Sequence, residues 1–127
     1  MDCYTRGDPV RVFELKSALG EGSAFKAAHG YYLDPVSPQL PTLPAQWEFR
    51  LIKVPLKNGV TLYFLETNDA AISKYARGEA REREWIRAGF AAGLLSAAIM
   101  ESWLRDTVFL DDPERDRARR AFAEDMP

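Results

Sequence analysis

The clearest pattern of apolar and polar residues lies in the middle of the chain. Two apolar runs, residues 48–56 and 60–65, flank the tripeptide Lys57-Asn58-Gly59. Asn-Gly between two such runs is a strong local signal for a tight hairpin turn. The pattern therefore predicts an antiparallel β-hairpin, with side chains that alternate between its two faces.

Weaker signals precede the hairpin. Asp8-Pro9 marks a helix start, and the apolar spacing after it predicts a helix over residues 10–19. Residues 2–4 are interpreted as the end of a strand. Residues 29–33 are rich in aromatic side chains and are interpreted as a short strand. The prolines of residues 35–44 predict an ordered loop.

Helical periodicity dominates the rest of the chain. It predicts four helices, over residues 69–77, 79–92, 96–104 and 112–124. Thr67 or Asn68 caps the first, and glycines end the first two. The second helix is expected to bury a stripe made of Trp85, Ile86, Gly89 and Phe90. The last helix is almost wholly charged, so we expect it to be peripheral or to pair with a partner.

Strands followed by helices indicate an α+β fold, with a small mixed sheet packed against C-terminal helices. The length of 127 residues fits a single domain over residues 1–127, in which residues 1–66 are mainly strands with one helix and residues 67–125 are helical. A hydrophobic content of 46% with 28% charged residues is typical of a globular protein.

The net charge and the cysteine content exclude several kinds of partner and site. The net charge of −2 provides no basic field, so no nucleic acid partner is expected. The single cysteine, Cys3, cannot form an internal disulfide, and one cysteine with one histidine, His29, cannot form the usual zinc site. The start of the chain lacks a signal-peptide run, and the longest apolar stretch is too short for a bilayer. We therefore expect a cytoplasmic protein with no membrane partner.

The densest polar patch surrounds Gly78 and contains Lys74, Arg77 and Glu82. A cation and a carboxylate held together by a helix–turn–helix could bind a nucleotide and a metal. The same residues could instead form an ion pair on a solvated surface. The residues alone favour this second interpretation. A second candidate, a ligand pocket, would contain His29, Tyr31, Tyr32 and Trp47. Aromatic residues at strand positions are more often packed than ligand-binding.

Residues 68–87, from Asn68-Asp69 through Ser73-Lys74 and Gly78 to Trp85-Ile86-Arg87, resemble a segment of bacterial nucleotidyltransferase-like proteins related to the toxins of abortive-infection toxin–antitoxin pairs. That segment has the form D-L-x-x-S-K-L-x-x-G-R-x-K-D-x-x-F-V-R. The resemblance implies a partial nucleotidyltransferase-like fold, in which Lys74 meets nucleotide phosphates and Glu82 takes the place of a downstream acid.

The chain departs from this pattern in two ways. Arg81-Glu82 stands where Lys-Asp is usual, and the family's Gly-Ser motif and acid-x-acid pair have no counterpart except Asp2, the candidate second acid. Two-metal phosphoryl transfer needs several converging carboxylates. We therefore expect a truncated, non-catalytic member of an uncharacterised branch. A sheet edge left open by the missing strands predicts a homodimer, with a different protein as another possible partner.

Three functions remain open. The first is that the chain is a non-catalytic, nucleotidyltransferase-like binding protein, in the context of a mobile element or a toxin–antitoxin-like system. Alternatively it is a nucleotidyltransferase whose catalytic half is missing from the chain or supplied by a partner. Mg²⁺ and a nucleotide are expected as cofactors only in that case, and no cofactor is otherwise predicted. The third alternative is a small structural module that binds a ligand or a protein.

Overall fold

A computed structural model describes residues 2–126 of the protein. These residues form six α-helices, two short 3-10 turns and two two-stranded sheets. The predicted α+β class is therefore confirmed. The described chain divides into two compact units, one ending at Pro41 and the other beginning at Thr42. The single domain expected from the length stays a prediction.

The first unit contains two helices and one sheet. Its elements are β1 (Asp2–Cys3), α1 (Val12–Leu19), α2 (Ala24–His29) and β2 (Asp34–Pro35). A 3-10 turn, Pro9–Arg11, leads into α1, and the Asp8 carboxylate accepts a hydrogen bond from the Val10 N–H at 3.1 Å. This N-cap confirms the helix start predicted from Asp8-Pro9.

The strand predicted over residues 29–33 is wrong. His29 ends α2, and Gly30 terminates that helix in the left-handed conformation at φ 78°. The strand forms farther along, at Asp34–Pro35, where it pairs in parallel with Asp2–Cys3. Proline is compatible with this short strand pair because a residue at a sheet edge does not need a backbone N–H to donate to a neighbouring strand.

The second unit contains the hairpin and four helices. Its elements are β3 (Ile52–Pro55), β4 (Thr61–Phe64), α3 (Thr67–Arg77), α4 (Ala80–Ala91), α5 (Ala97–Arg105) and α6 (Asp112–Asp125). The helices predicted after residue 66 are thus confirmed, within a few residues at their ends.

The hairpin is confirmed but its first strand is shorter than predicted. Strands β3 and β4 pair antiparallel from Ile52↔Phe64 to Pro55↔Thr61. Residues 48–50, predicted to be strand, belong to a 3-10 turn, Trp47–Arg50. That turn lets the Arg50 guanidinium donate to the Ala45 carbonyl at 2.9 Å, which is a contact that an extended backbone would not provide.

Helix α3 begins earlier than predicted because Glu66, and not Thr67 or Asn68, is its N-cap. The Glu66 carboxylate accepts hydrogen bonds from the N–H groups of Asn68 at 2.8 Å and Asp69 at 3.2 Å. At the other end Gly78 adopts φ 75° and stops the helix, as predicted.

The core of the second unit lies around α3. Its buried residues are Ala71, Ile72, Tyr75, Ile86, Leu95, Met100, Leu104, Ala118, Ala121 and Phe122. Tyr75 meets Phe122 edge-on, with ring centroids 6.0 Å apart. Because α6 supplies three of these residues, the prediction that it is peripheral is wrong. Its short apolar stripe is enough to pack it against α3.

Helix α4 buries only part of the stripe predicted for it. Ile86 and Gly89 are buried, but Trp85 is 44% exposed. A Cβ on Gly89 would lie 2.8 Å from Leu95 Cδ1, so the glycine allows close packing there. This contact fixes the inward face of α4 at Ile86 and Gly89 and turns Trp85 outward.

Across residues 2–126, none of the helices combines the length and the apolar character that a bilayer crossing needs.

We predict that Gly78→Ala destabilises the protein by about 1–2 kcal/mol, because a left-handed backbone is strained for a residue with a Cβ. The added Cβ would also lie 2.8 Å from Arg117 Cδ, so this side chain must shift. Urea denaturation followed by circular dichroism measures the change.

Gly22→Ala is the matched control, because a Cβ at Gly22 would meet nothing within 4 Å. It should change the unfolding free energy by less than about 0.5 kcal/mol. Equal effects of the two substitutions would contradict the role given to Gly78.

Candidate functional site

The turn at Gly78 brings together the three residues predicted to bind a nucleotide. Lys74 and Arg77 lie in the last turn of α3, and Glu82 lies in the first turn of α4. Lys74 Nζ is 3.3 Å from Glu82 Oε1, and Arg77 Nη1 is 3.5 Å from the same oxygen. Gly78 reverses the chain tightly enough for a single carboxylate to meet both cations.

Glu82 is the buried member of this cluster. Its side chain is 5% exposed, whereas those of Lys74 and Arg77 are 30% and 40% exposed. Glu82 Oε2 is buried and has no hydrogen-bond partner among the described residues. The carboxylate therefore lies beneath the two cations, whose side chains remain partly exposed.

Glu79 completes the rim of the cluster. It is the N-cap of α4 but makes no side-chain cap; instead it binds Arg77 at 3.2 Å and Arg81 at 3.0 Å. The hydrogen bond from Arg77, more than any other contact, holds the pKa of Glu79 below its usual value. Three cations against two acids leave the rim with a net positive charge, which suits an anion.

This donor set fits a phosphate better than it fits a metal ion. Mg²⁺ needs oxygen ligands in near-octahedral arrangement. The cluster places a single carboxylate, Glu82, beneath the two cations, which is fewer oxygen ligands than a Mg²⁺ site needs. Two cationic groups side by side are suited to the oxygens of a phosphate.

Trp85 lies beside the cluster. Lys74 Nζ lies over its ring, 5.3 Å from the centroid, and Trp85 is 44% exposed. Sequence reasoning placed Trp85 in the core, so it missed an aromatic surface next to the two cations. Helix α4 turns Ile86 and Gly89 into the core and leaves Trp85 outside it.

A buried ion pair, also missed by sequence reasoning, supports the start of α3. Asp69 is fully buried and accepts two hydrogen bonds from Arg50, at 2.9 Å and 2.7 Å. The hydrogen bond to Asp69 is the main reason that the pKa of Arg50 is raised. The Arg50 guanidinium also stacks on the Trp103 ring, 3.9 Å from its centroid. The polar run Glu66-Thr67-Asn68-Asp69 is the one sequence signal for this pair.

A second ion pair fixes α4 to the end of α6. Asp125 is 1% exposed and is bound by Arg83 and Arg87, each at 2.7 Å. Burial alone would raise the pKa of Asp125, but the hydrogen bonds from the two arginines outweigh burial and lower it. These contacts hold α4, and with it Glu82 and Trp85, in place.

A shallow groove of about 500 Å³ lies along α6. Its lining residues are Arg83, Pro113, Asp116, Arg117, Arg120, Ala121 and Glu124. Arg83 is held by Asp125, and Arg117 donates to the Ala76 carbonyl at 2.7 Å. Two of its three arginines are therefore committed to structural contacts, so the groove is a weaker anion site than the Lys74 cluster.

The remaining predicted site residues lie in different units. Asp2, His29, Tyr31 and Tyr32 belong to the first unit, and Trp47 to the second. His29 and Tyr31 pack against Phe25, with ring centroids 4.5 Å and 5.3 Å from it. The aromatic pocket therefore stays a prediction.

Asp2 lies opposite Asp34 in the β1–β2 pair, and both are exposed. Within residues 2–126, no group of three or more His, Cys, Asp or Glu side chains is arranged to hold a metal ion.

A protein-family profile described as "Nucleotidyltransferase of unknown function (DUF6036)" matches residues 1–125. The chain belongs to this family. The nucleotidyltransferase-like relationship expected from residues 68–87 is therefore confirmed. Neither a curated protein nor a solved structure matches the chain significantly. The relationship to abortive-infection toxins, the site roles, the cofactors and the partners stay predictions.

We predict that Asp125→Asn destabilises the protein by about 1–3 kcal/mol at neutral pH, because it removes a buried charge that two arginines bind. A carboxylate whose pKa is lowered by folding stabilises the native state above its unfolded pKa, about 3.9, and stops doing so as pH falls through its folded pKa. The difference between wild type and variant should therefore shrink below about pH 4. Urea denaturation at pH 7, 5, 4 and 3 measures it.

Asp116→Asn is the control, since the Asp116 side chain is 58% exposed and its ion pair is with Arg115 in the same helix. We expect it to stay within about 0.5 kcal/mol of wild type. A constant difference between wild type and Asp125→Asn at every pH would contradict the ionic role of Asp125.

Proposed function

We propose that the protein binds the phosphate groups of a nucleotide at Lys74 and Arg77, with Glu82 positioning both cations, and that it acts by binding without catalysing transfer. The observation that carries this proposal is the geometry of the cluster. One buried carboxylate lies within 3.5 Å of both cations, and each cation remains partly exposed.

Electrostatics supports a phosphate ligand. A charge-assisted hydrogen bond to a phosphate oxygen is about twice as strong as a neutral one. The start of α4 lies beside the cluster and lacks a side-chain cap, so its first N–H groups add to the positive potential. The negative charge of Glu79 would repel an anion there, but Arg77 and Arg81 both form ion pairs with Glu79 and offset that charge.

The non-catalytic part of the proposal rests on the carboxylates. Two-metal nucleotidyl transfer needs several acids around two ions about 4 Å apart. Glu82 is the acid in contact with Lys74, and it is already bound to two cations. A role in a mobile element or a toxin–antitoxin-like system is part of the proposal, and only the resemblance of residues 68–87 supports it.

The alternative function is nucleotidyl transfer with acids supplied from outside the cluster or by a partner. The description of the family favours this alternative. Incubation with a labelled nucleoside triphosphate and Mg²⁺ tests it, and transfer of label to any acceptor, abolished by Lys74→Ala, would replace the binding role by a catalytic one.

We predict that wild-type protein releases or absorbs heat when ATP with Mg²⁺ is titrated into it. Lys74→Ala should weaken binding about tenfold or more, because one charge-assisted hydrogen bond to an anion contributes roughly 1.5–3 kcal/mol. Isothermal titration calorimetry measures both proteins, and circular dichroism verifies that the variant is folded.

Lys53→Ala is the matched control, since it removes one exposed lysine from β3, outside the cluster. Its affinity should equal that of wild type. No heat in the wild type at any ATP concentration, or an equal loss in both variants, would count against a phosphate site at Lys74.

A further inference from the structure

We infer that the indole ring of Trp85 is a stacking surface for the base of the nucleotide. This inference rests on the proposed phosphate site. The two cations alone would bind any phosphate. A stacking surface at Trp85 would add specificity for a nucleotide, which carries an aromatic base.

The first argument is the exposure of Trp85. A tryptophan side chain is highly buried on average, whereas Trp85 is 44% exposed on α4. Its neighbour Ile86 is fully buried, so the helix supplies the core without Trp85. The exposed indole is therefore available for a ligand.

The second argument is distance. Lys74 Nζ lies 5.3 Å from the Trp85 ring centroid, while the same ammonium group is 3.3 Å from Glu82. The ammonium group lies over the ring, so a phosphate bound by Lys74 would lie next to the indole. The base of the same nucleotide could then reach the exposed part of the ring.

The third argument is chemical. Aromatic side chains bind bases by stacking, which contributes about 1–3 kcal/mol per base and tolerates different bases. Glu82 and Arg77, the ion-pair partners beside Lys74, have no aromatic ring. The ring of Trp85 supplies that missing contact.

Titrations with ATP and with inorganic triphosphate test the inference. For the wild type we expect ATP to bind more tightly than triphosphate. Trp85→Ala should weaken ATP binding about 5- to 100-fold, the equivalent of one stacked base, and leave triphosphate binding unchanged.

Trp85→Phe, which keeps an aromatic ring, should retain most of the ATP affinity. ATP should also quench more tryptophan fluorescence in the wild type than in Trp85→Phe.

The outcomes separate this inference from the function on which it rests. If triphosphate binds but ATP binds no better, or if Trp85→Ala weakens both ligands equally, Trp85 is not a base surface and the phosphate site stands. If neither ligand binds the wild type, the phosphate site fails and the stacking inference fails with it.

A different observation supports a second inference: we propose that two copies of the chain associate through the apolar face of the β3–β4 hairpin. The register places six large apolar side chains on one face, and each of them is 38–50% exposed. They are Ile52, Val54, Leu56, Val60, Leu62 and Phe64. The sequence predicted a homodimer through a sheet edge, and the proposal transfers the contact to a sheet face.

The character of this face favours a second copy as its occupant. It contains no charged residue, so two identical faces can meet about a two-fold axis without repulsion. The charge of β3 lies on the opposite face, where Lys53 Nζ stands 5.8 Å from the Tyr63 ring. A two-stranded hairpin is marginally stable alone and gains from a packed face.

The size of the face predicts a weak dimer. Six half-exposed side chains per copy would bury on the order of 1,000 Å² in total, the lower end of specific interfaces. We therefore expect association that depends on concentration, and we expect Leu62→Lys to abolish it by placing a charge in the interface.

Size-exclusion chromatography with light scattering tests this second inference. The mass should rise from 14.4 kDa towards twice that value with concentration in the wild type and in Thr61→Lys, whose side chain is on the opposite face. Leu62→Lys and Val54→Lys should stay at 14.4 kDa while circular dichroism shows them folded. A wild type that stays at 14.4 kDa at every concentration, or folded face variants that still dimerise, would exclude this interface.

Discussion

The burial of α3 is the constraint on which the second unit depends. Seven of its eleven residues are buried, among them the polar residues Asn68, Asp69 and Ser73. A helix buried this far must satisfy its charged groups internally, since an unpaired buried charge is costly. Arg50 does this for Asp69 with two hydrogen bonds, and so the 3-10 turn before the hairpin is tied to the start of the helix.

The candidate site follows from the way in which α3 ends. Its last turn leaves the core, so Lys74 and Arg77 reach solvent while Tyr75 and Ala76 remain buried. Gly78 then reverses the chain in the left-handed conformation, and α4 places Glu82 beneath both cations. The ion pairs of Asp125 with Arg83 and Arg87 fix α4 from its other side. The cluster is therefore held by structural contacts that do not themselves need a ligand.

Membership of a nucleotidyltransferase family and the proposed phosphate site point to the same class of ligand, but they differ on the chemistry. The family is described by a transfer reaction, whereas Lys74 is next to a single carboxylate that two cations already bind. The proposed phosphate site uses Lys74 and Arg77, and the proposed base contact uses Trp85. Neither proposal depends on the metal-binding acids of transfer chemistry.

The sequence by itself determined the hairpin, the four C-terminal helices, the stop at Gly78 and the grouping of Lys74, Arg77 and Glu82. These features depend on local turn chemistry and on spacing within or across one turn. Only the tertiary structure decided what is buried. The Arg50–Asp69 pair joins residues 19 apart along the chain, and the side of α4 that faces the core is set by its packing, which leaves Trp85 outside. At residues 29–33 the backbone ends α2 at His29 and turns at Gly30, and the parallel pairing with Asp2–Cys3 is made by Asp34–Pro35, so this strand pair joins residues 32 apart.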